Sequence, residues 1–436
     1  MIATSTYEVP CIFDRTLSRE NILVSVPGSK SITNRALLLA MLADGKSTLD
    51  GALFSDDSRH FLSCLKALGF ETFADEENCR MEVCGLGGRI PLKEASLYVG
   101  SAGTAARFLT ACLGIQSGIF HMDASEQMRK RPMAPLLASL QELGCKITCD
   151  GKEGCFPFTL NGHGFEKNEI SIDIDSSSQF LSALLIAASL SPADFTIHVQ
   201  GSHGMAYIDM TRKMMRQFGV SSKKMPDGSF VVFAGQHYRA LPYRVEPDVS
   251  AACYFYAMAA LLGIAVTVKG VWKNSLQGDV LFLDILEKMG CFVTENADGL
   301  CLCGPSDRRL QGITVDMSAC SDQAITLCAI APFADRPTTI TGIGHIRHQE
   351  SDRIGAILKN LKAMGISCKE HDDGLTIYPG APKPTHIETF DDHRLAMGFS
   401  LTGLRAPGIV IENPACCKKT FENYFEVLEE TIRKIC

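Results

Sequence analysis

The sequence lacks a hydrophobic run long enough to cross a lipid bilayer. The longest apolar stretches, residues 36–43 and 254–266, fall short of the roughly 20 residues that a membrane-spanning helix needs, so they predict buried helices. The first residues, MIATSTYEVPCIF, lack the basic and then apolar pattern of a secretory signal and the Arg and Ser richness of a transit peptide. We therefore expect a cytoplasmic protein.

An excess of positive charge is also missing. The net charge of -7 predicts no general affinity for nucleic acid or for an anionic membrane, so any cationic site must be a local cluster. With 46% hydrophobic and 21% charged residues, the composition is that of a folded globular protein. A chain of 436 residues predicts two or three domains.

Cysteine is abundant, but its spacing does not suit a metal. The 18 cysteines include a CxC at Cys301 and Cys303 and an adjacent pair at Cys416 and Cys417. Neither pair has a second pair at zinc-ligand spacing. Because no secretory signal is recognised, we expect reduced thiols, no disulfide framework and no metal.

Two familiar cofactor motifs are incomplete. The GSKS segment at residues 28–31 lacks the upstream glycine and the Gly-Lys pair of a P-loop. The segments GLGG at 85–88 and GIGHIR at 342–347 do not complete a dinucleotide fingerprint. We therefore predict no organic cofactor.

One short pattern recurs along the chain: an apolar helical segment, then Gly, then an apolar or small residue. It occurs at residues 65–70, 140–145, 215–220, 286–291 and 361–366, and its glycines are 71 to 75 residues apart. Gly suits the left-handed residue that ends a helix. An Asp-Gly pair, typical of a β-hairpin, follows four of the segments. With a further helix ending at Cys436, the pattern predicts six α/β units in two lobes of three.

Each repeat also contains a second, very apolar helix, and the segments before these helices carry the polar residues. The flanks are residues 27–35, 99–107, 175–179, 245–250, 321–323 and 391–394. A helix N-terminus has unpaired N–H groups and the positive end of a dipole, which suits a phosphate or carboxylate. The simpler interpretation of one flank is that Ser or Asp caps a helix.

Helix capping does not explain the cations at these boundaries. The cations in question are Lys30, Arg35, Arg131, Arg353, Arg394 and Lys419. In an acidic protein, so many cations at element boundaries indicate a small ligand with several negative charges. Asp322 and Glu350 lie in the same segments and are the candidate acid–base groups. A salt bridge to Arg353 is an equally good explanation of Glu350.

These segments, in order, resemble the 5-enolpyruvylshikimate-3-phosphate synthase family over nearly the whole chain. The motifs are PGSKSITNRALLLA, SDDSRH, GSAGTAAR, KRPMAPL, SSQFLSALL, YIDMT, SLQGD, QESDRI, DDHRLAM and KKTF. The resemblance implies an α/β (α+β) fold with two inverse α/β-barrel-like lobes, each of three βαβαββ-type repeats. It places lobe I at residues 1–27 plus 248–436, lobe II at 28–247, and the active site in the cleft between them.

The resemblance also implies an activity. It is the transfer of the enolpyruvyl group of phosphoenolpyruvate to the 5-hydroxyl of shikimate 3-phosphate, with release of phosphate, in the shikimate pathway to chorismate. The reaction passes through a tetrahedral addition–elimination intermediate without metal or organic cofactor. The expected partners are these two small molecules, and the family is usually monomeric.

The family's site residues match positions of this chain. Shikimate 3-phosphate is expected to contact Lys30, Ser31, Arg35, Ser177, Ser178, Gln179, Tyr207, Asp322 and Gln349. Phosphoenolpyruvate is expected to contact Lys30, Gly103, Arg131, Gln179, Arg353, Arg394 and Lys419. Asp322 is the expected base, shared with Lys30, and Glu350 the expected proton donor. Gly103 corresponds to the glycine that admits the inhibitor glyphosate, so we expect sensitivity.

Three positions depart from the family pattern. Ser101 replaces Asn, Gly204 replaces a Ser, and Gln349 replaces a Lys; the last two positions help to hold the shikimate phosphate in the family. A lost charge-assisted contact weakens such a subsite by about 1–3 kcal/mol. We hypothesise that histidine compensates, and the candidates are His203, His345 and His348.

Other interpretations remain open at this point. One is a related transferase acting on UDP-N-acetylglucosamine, and another is a paralogue acting on an unphosphorylated cyclitol, which Gly204 and Gln349 suit. A third is a binding protein without catalysis, against which Asp322 and Glu350 argue. An RNA-end-processing enzyme is disfavoured by the acidic net charge and the absence of a basic stripe.

Overall fold

A computed structural model describes residues 5–18, 20–201 and 204–436. These residues contain 23 strands, 13 α-helices and five short 3₁₀ helices. The strands are β1 Thr6–Glu8, β2 Asn21–Val24, β3 Asp44–Asp50, β4 Thr72–Asp75, β5 Arg80–Leu86, β6 Glu94–Tyr98, β7 Gly118–Asp123, β8 Lys146–Cys149, β9 Phe158–Gly162, β10 Glu169–Asp173, β11 Phe195–Gln200, β12 Ser222–Lys224, β13 Phe230–Val232, β14 Pro242–Arg244, β15 Ala265–Lys269, β16 Phe292–Glu295, β17 Gly299–Cys303, β18 Thr314–Asp316, β19 Thr338–Thr341, β20 Cys368–His371, β21 Gly374–Ile377, β22 Thr385–Ile387 and β23 Ile409–Glu412.

The helices occupy the segments between these strands. The α-helices are α1 Lys30–Leu42, α2 Asp56–Ala67, α3 Gly103–Gly114, α4 Glu126–Arg129, α5 Ala134–Glu142, α6 Gln179–Ala188, α7 Met205–Gln217, α8 Val249–Leu262, α9 Phe282–Lys288, α10 Ala324–Ile330, α11 Arg353–Ala363, α12 His393–Arg405 and α13 Tyr424–Ile435. The 3₁₀ helices are Gly278–Leu281, Ser321–Gln323, Ala331–Phe333, Gly344–His348 and Pro414–Lys419.

The described strands form six small sheets that repeat one topology. Five sheets have four strands, and the sixth, β1-β23-β22, has three. In the order β6-β7-β9-β8, for example, the first pair is parallel and the other two pairs are antiparallel. The orders β10-β11-β13-β12 and β18-β19-β21-β20 have the same pattern. The six-unit α/β repeat predicted from the sequence is therefore confirmed.

The recurring glycine follows a helix in five of the six α/β repeats, as its position predicted. Gly69, Gly144, Gly219, Gly290 and Gly365 all have φ between +75° and +103°, a range that favours glycine because it has no Cβ. A hairpin follows each of these helices. The hairpin turns differ in length: β20 and β21 pair up to His371 and Gly374, whereas residues 150–157 separate β8 from β9. The Asp-Gly signal located the hairpins but not the lengths of their loops.

The chain divides into two compact units. Unit 1 comprises Met1–Pro27 and Glu246–Cys436, and unit 2 comprises Gly28–Val245. Unit 1 contains the sheets β2-β15-β17-β16, β18-β19-β21-β20 and β1-β23-β22. Unit 2 contains the other three sheets, including β14-β3-β5-β4, in which β14 returns to pair in parallel with β3.

Three apolar helices form the core of each unit. In unit 1, α8, α10 and α12 pack against one another, and in unit 2, α3 packs against both α1 and α6. Nearly every residue of these helices is buried. Helices that are apolar all round need such an interior position, because any exposed face would leave apolar surface in water. Within the ranges described, no helix combines the length and the apolar character that membrane crossing requires.

Candidate active site

Helix ends in unit 1 bring together four of the predicted site residues. Asp322 lies in the 3₁₀ helix Ser321–Gln323, Arg353 begins α11, Arg394 is the second residue of α12, and Lys419 ends the 3₁₀ helix Pro414–Lys419. Asp392 caps α12, and its side chain accepts a hydrogen bond of 3.0 Å from the backbone N–H of Arg394. Polar residues from helix ends in different α/β repeats of unit 1 are thus brought together.

Arg353 is the centre of this group. Its guanidinium donates to Asp392 Oδ2 at 2.8 Å, to Asp322 Oδ1 at 3.0 Å and to Glu350 Oε2 at 2.8 Å, and it also contacts the side-chain oxygen of Gln349. Burial lowers the pKa of Arg353, but the carboxylates of Asp392, Glu350 and Asp322 more than offset this effect, so its pKa is raised. The guanidinium stays charged and joins three chain segments.

Two further cations complete the group. Arg394 donates to the other carboxylate oxygen of Asp322 at 2.8 Å, and Lys419 Nζ lies 3.4 Å from Glu350 Oε1. We call Asp322, Glu350, Arg353, Asp392, Arg394 and Lys419 the unit 1 ion cluster. Its formal charges, three positive and three negative, balance. The salt bridge between Glu350 and Arg353 that their spacing allowed is present.

The unit 1 ion cluster has two buried members and four partly exposed members, which we call its rim. The side chains of Arg353 and Asp392 are 1% and 0% exposed, while those of Asp322, Glu350, Lys419 and Arg394 are 15%, 12%, 11% and 9% exposed. The rim therefore holds two carboxylates, suited to proton transfer, and two cations, suited to a phosphate or carboxylate ligand. The buried pair beneath them fixes their positions.

In unit 2, α1 begins with Lys30 and Ser31, and the side chain of Ser29 caps the helix. Lys30 Nζ lies 3.7 Å from the buried carboxylate of Asp57, which is in the first turn of α2. This ion pair orients the ammonium group at the helix start. Asp57 belongs to the SDDSRH motif, but its sequence position alone did not indicate that it partners Lys30.

Arg35, one turn further along α1, is 1% exposed. It donates to Thr211 Oγ1 at 2.8 Å and to the backbone oxygens of Ser31 at 3.0 Å and Tyr207 at 3.4 Å. Its guanidinium also lies 5.3 Å from the centre of the Phe108 ring. Burial lowers the pKa of Arg35 to about 10. Arg35 thus links α1 to α7 and places Ser31 and Tyr207 on one side of unit 2.

Gly103 begins α3, and it lies against Arg131. A Cβ added to Gly103 would lie 2.7 Å from one terminal nitrogen of Arg131 and 2.9 Å from one of Arg107. The Nε of Arg131 is buried and has no hydrogen-bond partner among the described residues. Glycine at position 103 therefore leaves room for a guanidinium that retains donor capacity for a ligand.

The start of α6 collects the serines predicted to bind phosphate. Ser178 precedes the helix and is buried, while Ser177 Oγ accepts a hydrogen bond of 3.3 Å from the backbone N–H of Gln179. The side-chain oxygen of Gln179 is buried without a partner in the part of the chain that the structure describes. Gly204, before α7, has φ +67°, and a Cβ there would lie 2.4 Å from Ser178 Oγ.

The remaining candidates lie in different surroundings. His345 Nε2 is 2.9 Å from Ser321 Oγ, beside Asp322, whereas His348 is exposed and His203 lies outside the described residues. Ser101 Oγ is 2.7 Å from Ser125 Oγ, the cap of α4, which leads to Arg131. Among the described residues, no group of His, Cys, Asp and Glu has the arrangement of a metal site.

Comparison with known proteins agrees with this architecture. An EPSP synthase structure from Acinetobacter baumannii superposes with a TM-score of 0.80 at 26% identity, covering 98% of each chain. The enolpyruvyl transferase NikO from Streptomyces tendae shares the fold, with a TM-score of 0.74 at 16% identity over 98% of this chain and 97% of that one. The fold is therefore that of the enolpyruvyl transferases.

Sequence comparison identifies the family within the enolpyruvyl transferases. A 3-phosphoshikimate 1-carboxyvinyltransferase from Trichormus variabilis (strain ATCC 29413 / PCC 7937) is 46% identical over 403 residues, covering 92% of this chain and 94% of that protein. The chain belongs to the EPSP synthase (3-phosphoshikimate 1-carboxyvinyltransferase) family, whose model matches residues 17–428.

Proposed function

We propose that this enzyme transfers the enolpyruvyl group of phosphoenolpyruvate to the 5-hydroxyl of shikimate 3-phosphate and releases phosphate. The observation that carries the proposal is the rim of the unit 1 ion cluster, where Asp322 and Glu350 each pair with two cations. The reaction needs both kinds of group, because a proton must leave the acceptor hydroxyl, another must reach the enol carbon, and a phosphate must be held.

In the addition step, Asp322 takes the proton of the 5-hydroxyl while the hydroxyl oxygen bonds to C2 of phosphoenolpyruvate. Glu350 gives a proton to the methylene carbon, which becomes a methyl group. Both oxygens of Glu350 face cations, Arg353 and Lys419. A ligand phosphate or carboxylate that takes over Lys419 removes one cation from Glu350, which favours the protonated form that donation requires.

In the elimination step, the Glu350 carboxylate takes a proton back from the methyl group, the C–H electron pair forms the C2–C3 double bond, and the C2–O bond to phosphate breaks. The product is the enolpyruvyl ether, and inorganic phosphate leaves with the electron pair of the broken C2–O bond. The cations Arg394, Lys419 and Arg131 are proposed to stabilise the charge on the departing phosphate. Lys30, held by Asp57 at 3.7 Å, is proposed to share the role of base with Asp322.

The unit 2 residues are proposed to bind the acceptor. Ser177 and Ser178 at the start of α6 offer hydroxyls to the shikimate phosphate, and Gln179 and Tyr207 line the ring. Ser31 and Arg35 are proposed to lie on the carboxylate side. Gln179 and Gly103 are proposed also to contact phosphoenolpyruvate, and the unpartnered Nε of Arg131 supports an anionic ligand there. We propose further that the enzyme acts as a monomer in the cytoplasm, which sedimentation and fractionation would test.

The direct test is phosphate release from phosphoenolpyruvate by purified protein, with shikimate 3-phosphate, shikimate or UDP-N-acetylglucosamine as acceptor. We expect release with shikimate 3-phosphate alone. Release with unphosphorylated shikimate would contradict the proposed acceptor and identify Gly204 and Gln349 as marks of another specificity. Release with none of the three would contradict the activity.

A narrower proposal concerns the phosphate of the acceptor. Gln349 is uncharged, and its side-chain oxygen contacts Arg353. It therefore does not supply the positive charge of the lysine that it replaces. His345, next to Ser321, and His348 supply positive charge when protonated. We expect the KM for shikimate 3-phosphate to rise between pH 6 and 8.5, and His345→Gln or His348→Gln to flatten this rise. A KM independent of pH would contradict the role of histidine.

A further inference from the structure

The SLQGD motif contributes a buried carboxylate, Asp279, to which the roles above assign nothing. Asp279 is 5% exposed and lies in the 3₁₀ helix Gly278–Leu281, just before α9. Gln277, in the same motif, is equally buried, and its side chain donates to the backbone oxygen of Pro247 and accepts from the N–H of Val249. These hydrogen bonds hold the motif against the start of α8.

One oxygen of Asp279 accepts two hydrogen bonds from different elements. The hydroxyl of Ser250, in the first turn of α8, donates to Oδ2, and Gln323 Nε2 donates to the same oxygen at 2.9 Å. Gln323 directly follows Asp322, and its side-chain oxygen accepts from Thr326 Oγ1 at 3.0 Å. Gln323 is 0% exposed, so its orientation depends on these two partners.

These contacts form a closed ring that includes two rim residues of the unit 1 ion cluster, Arg394 and Asp322. Ser250 Oγ, which donates to Asp279, lies 3.4 Å from a terminal nitrogen of Arg394. The same nitrogen donates to Asp322 at 2.8 Å, and Asp322 is bonded through the backbone to Gln323, which returns to Asp279. Asp279 is therefore connected to Arg394 through the side chain of Ser250 and to Asp322 through the neighbouring residue Gln323.

We propose that Asp279 is a positioning residue, which through Ser250 and Gln323 holds Arg394 and Asp322 in the arrangement that the reaction needs. The inference rests on the function proposed above. Without the carboxylate, Ser250 and Gln323 lose their shared acceptor, so Arg394, which contacts Ser250, and Asp322, which precedes Gln323, are held less firmly. A displacement of about 1 Å is enough to slow a reaction about 100-fold.

The electrostatic surroundings agree with this role. Burial and then the neighbouring carboxylate of Asp322 raise the pKa of Asp279 to about 6, while Arg394 and the hydrogen bonds from Ser250 and Gln323 oppose the rise. The thiols of Cys253 and Cys320 also face this carboxylate. The ionised form of Asp279 is disfavoured at this position. The hydrogen bonds that it accepts from Ser250 and Gln323 give a reason for a carboxylate here.

The test compares Asp279→Ala with Asp279→Asn. The amide keeps an acceptor oxygen for Ser250 and Gln323, so we expect kcat/KM for phosphoenolpyruvate to stay within about fivefold of wild type for Asn and to fall about 100-fold for Ala. The loss in Ala should combine a lower kcat with a higher KM for phosphoenolpyruvate.

Two controls separate positioning from folding. Asp248→Ala removes the side-chain cap of the same helix α8, an acceptor of comparable burial, and should lower Tm with little change in kcat/KM. Ser250→Ala keeps Asp279 but cuts its link to Arg394, so it tests the proposal should Asp279→Ala fail to fold. Wild-type kinetics in Asp279→Ala or in Ser250→Ala would overturn the proposal, as would equal losses in Asp248→Ala. An inactive wild-type enzyme would instead contradict the proposed function.

Discussion

Lys419 Nζ lies 3.4 Å from one carboxylate oxygen of Glu350, and Arg353 donates to the other oxygen at 2.8 Å. Glu350 is therefore held between two cations, and the ion pair between Glu350 and Arg353 does not exclude a catalytic use of Glu350. A carboxylate in this position can exchange a cation for a proton when an anionic ligand arrives.

Replacement of Glu350 by Gln tests this use. Gln keeps the size of the side chain but cannot donate a proton in the same way, so kcat should fall by about 10²–10⁴-fold. Incorporation of solvent deuterium at C3 of phosphoenolpyruvate should fall in parallel. Glu370→Gln is the matched control, since Glu370 pairs with Arg347 on the exposed surface of the same unit. Full deuterium incorporation by Glu350→Gln would exclude Glu350 as the proton donor.

An alanine at Gly103 should displace Arg131. The added Cβ would lie 2.7 Å from its guanidinium, so the KM for phosphoenolpyruvate should rise about tenfold and inhibition by glyphosate should weaken. Gly114→Ala adds a methyl group to the same helix, but against the side chain of Leu140. That variant should lose stability and keep its KM. Equal KM values for the two variants would argue against the contact between Gly103 and Arg131.

Restoring serine at position 204 should harm the protein rather than improve phosphate binding. Gly204 has φ +67°, and its added Cβ would meet Ser178 Oγ at 2.4 Å. The left-handed conformation alone costs about 1–2 kcal/mol for a residue with a Cβ. Gly228→Ser is the control, because Gly228 has φ +89° and no atom within 4 Å of a Cβ. Urea unfolding should show the larger loss for Gly204→Ser, and equal losses would contradict the clash.

Asp279 should make the stability of the enzyme fall as the pH rises. Its pKa is raised from 3.8 to about 6 in the folded state, so the folded protein binds this proton more tightly than the unfolded chain does. Its contribution is therefore lost between about pH 4 and 6, and Asp279→Asn should be more stable than wild type above pH 6, by up to about 3 kcal/mol. Below pH 4 the difference should vanish.

Asp316 provides a control of opposite sign. Hydrogen bonds from Ser318 lower the pKa of Asp316, so its ionised form favours the folded state. Its contribution is present above the unfolded pKa and is lost as the pH falls. Asp316→Asn should therefore be less stable than wild type near neutral pH. Urea unfolding of the two variants from pH 4 to 8 measures both signs, and destabilisation by Asp279→Asn at pH 8 would contradict the cause assigned to the pKa shift.

The order of elements was largely predictable because it depends on local patterns. Recurrent glycines after apolar helices marked the helix ends, and their spacing indicated six α/β units, which the six sheets confirm. The lengths of the hairpin loops were not predictable, since the loop of residues 150–157 begins with an Asp-Gly pair and the short turn between His371 and Gly374 ends with one.

The contacts within the site were less predictable than its members. The sequence alone marked Lys30, Arg353 and Arg394 as cations at helix starts, since both signals are local. It did not indicate that Arg353 pairs with Asp392 and Asp322, or that Asp279 supports both Asp322 and Arg394, because these partners are 31 to 115 residues apart in the chain. Only tertiary packing brings such helix starts to within hydrogen-bonding distance, and the same burial decides which carboxylate holds its proton more tightly.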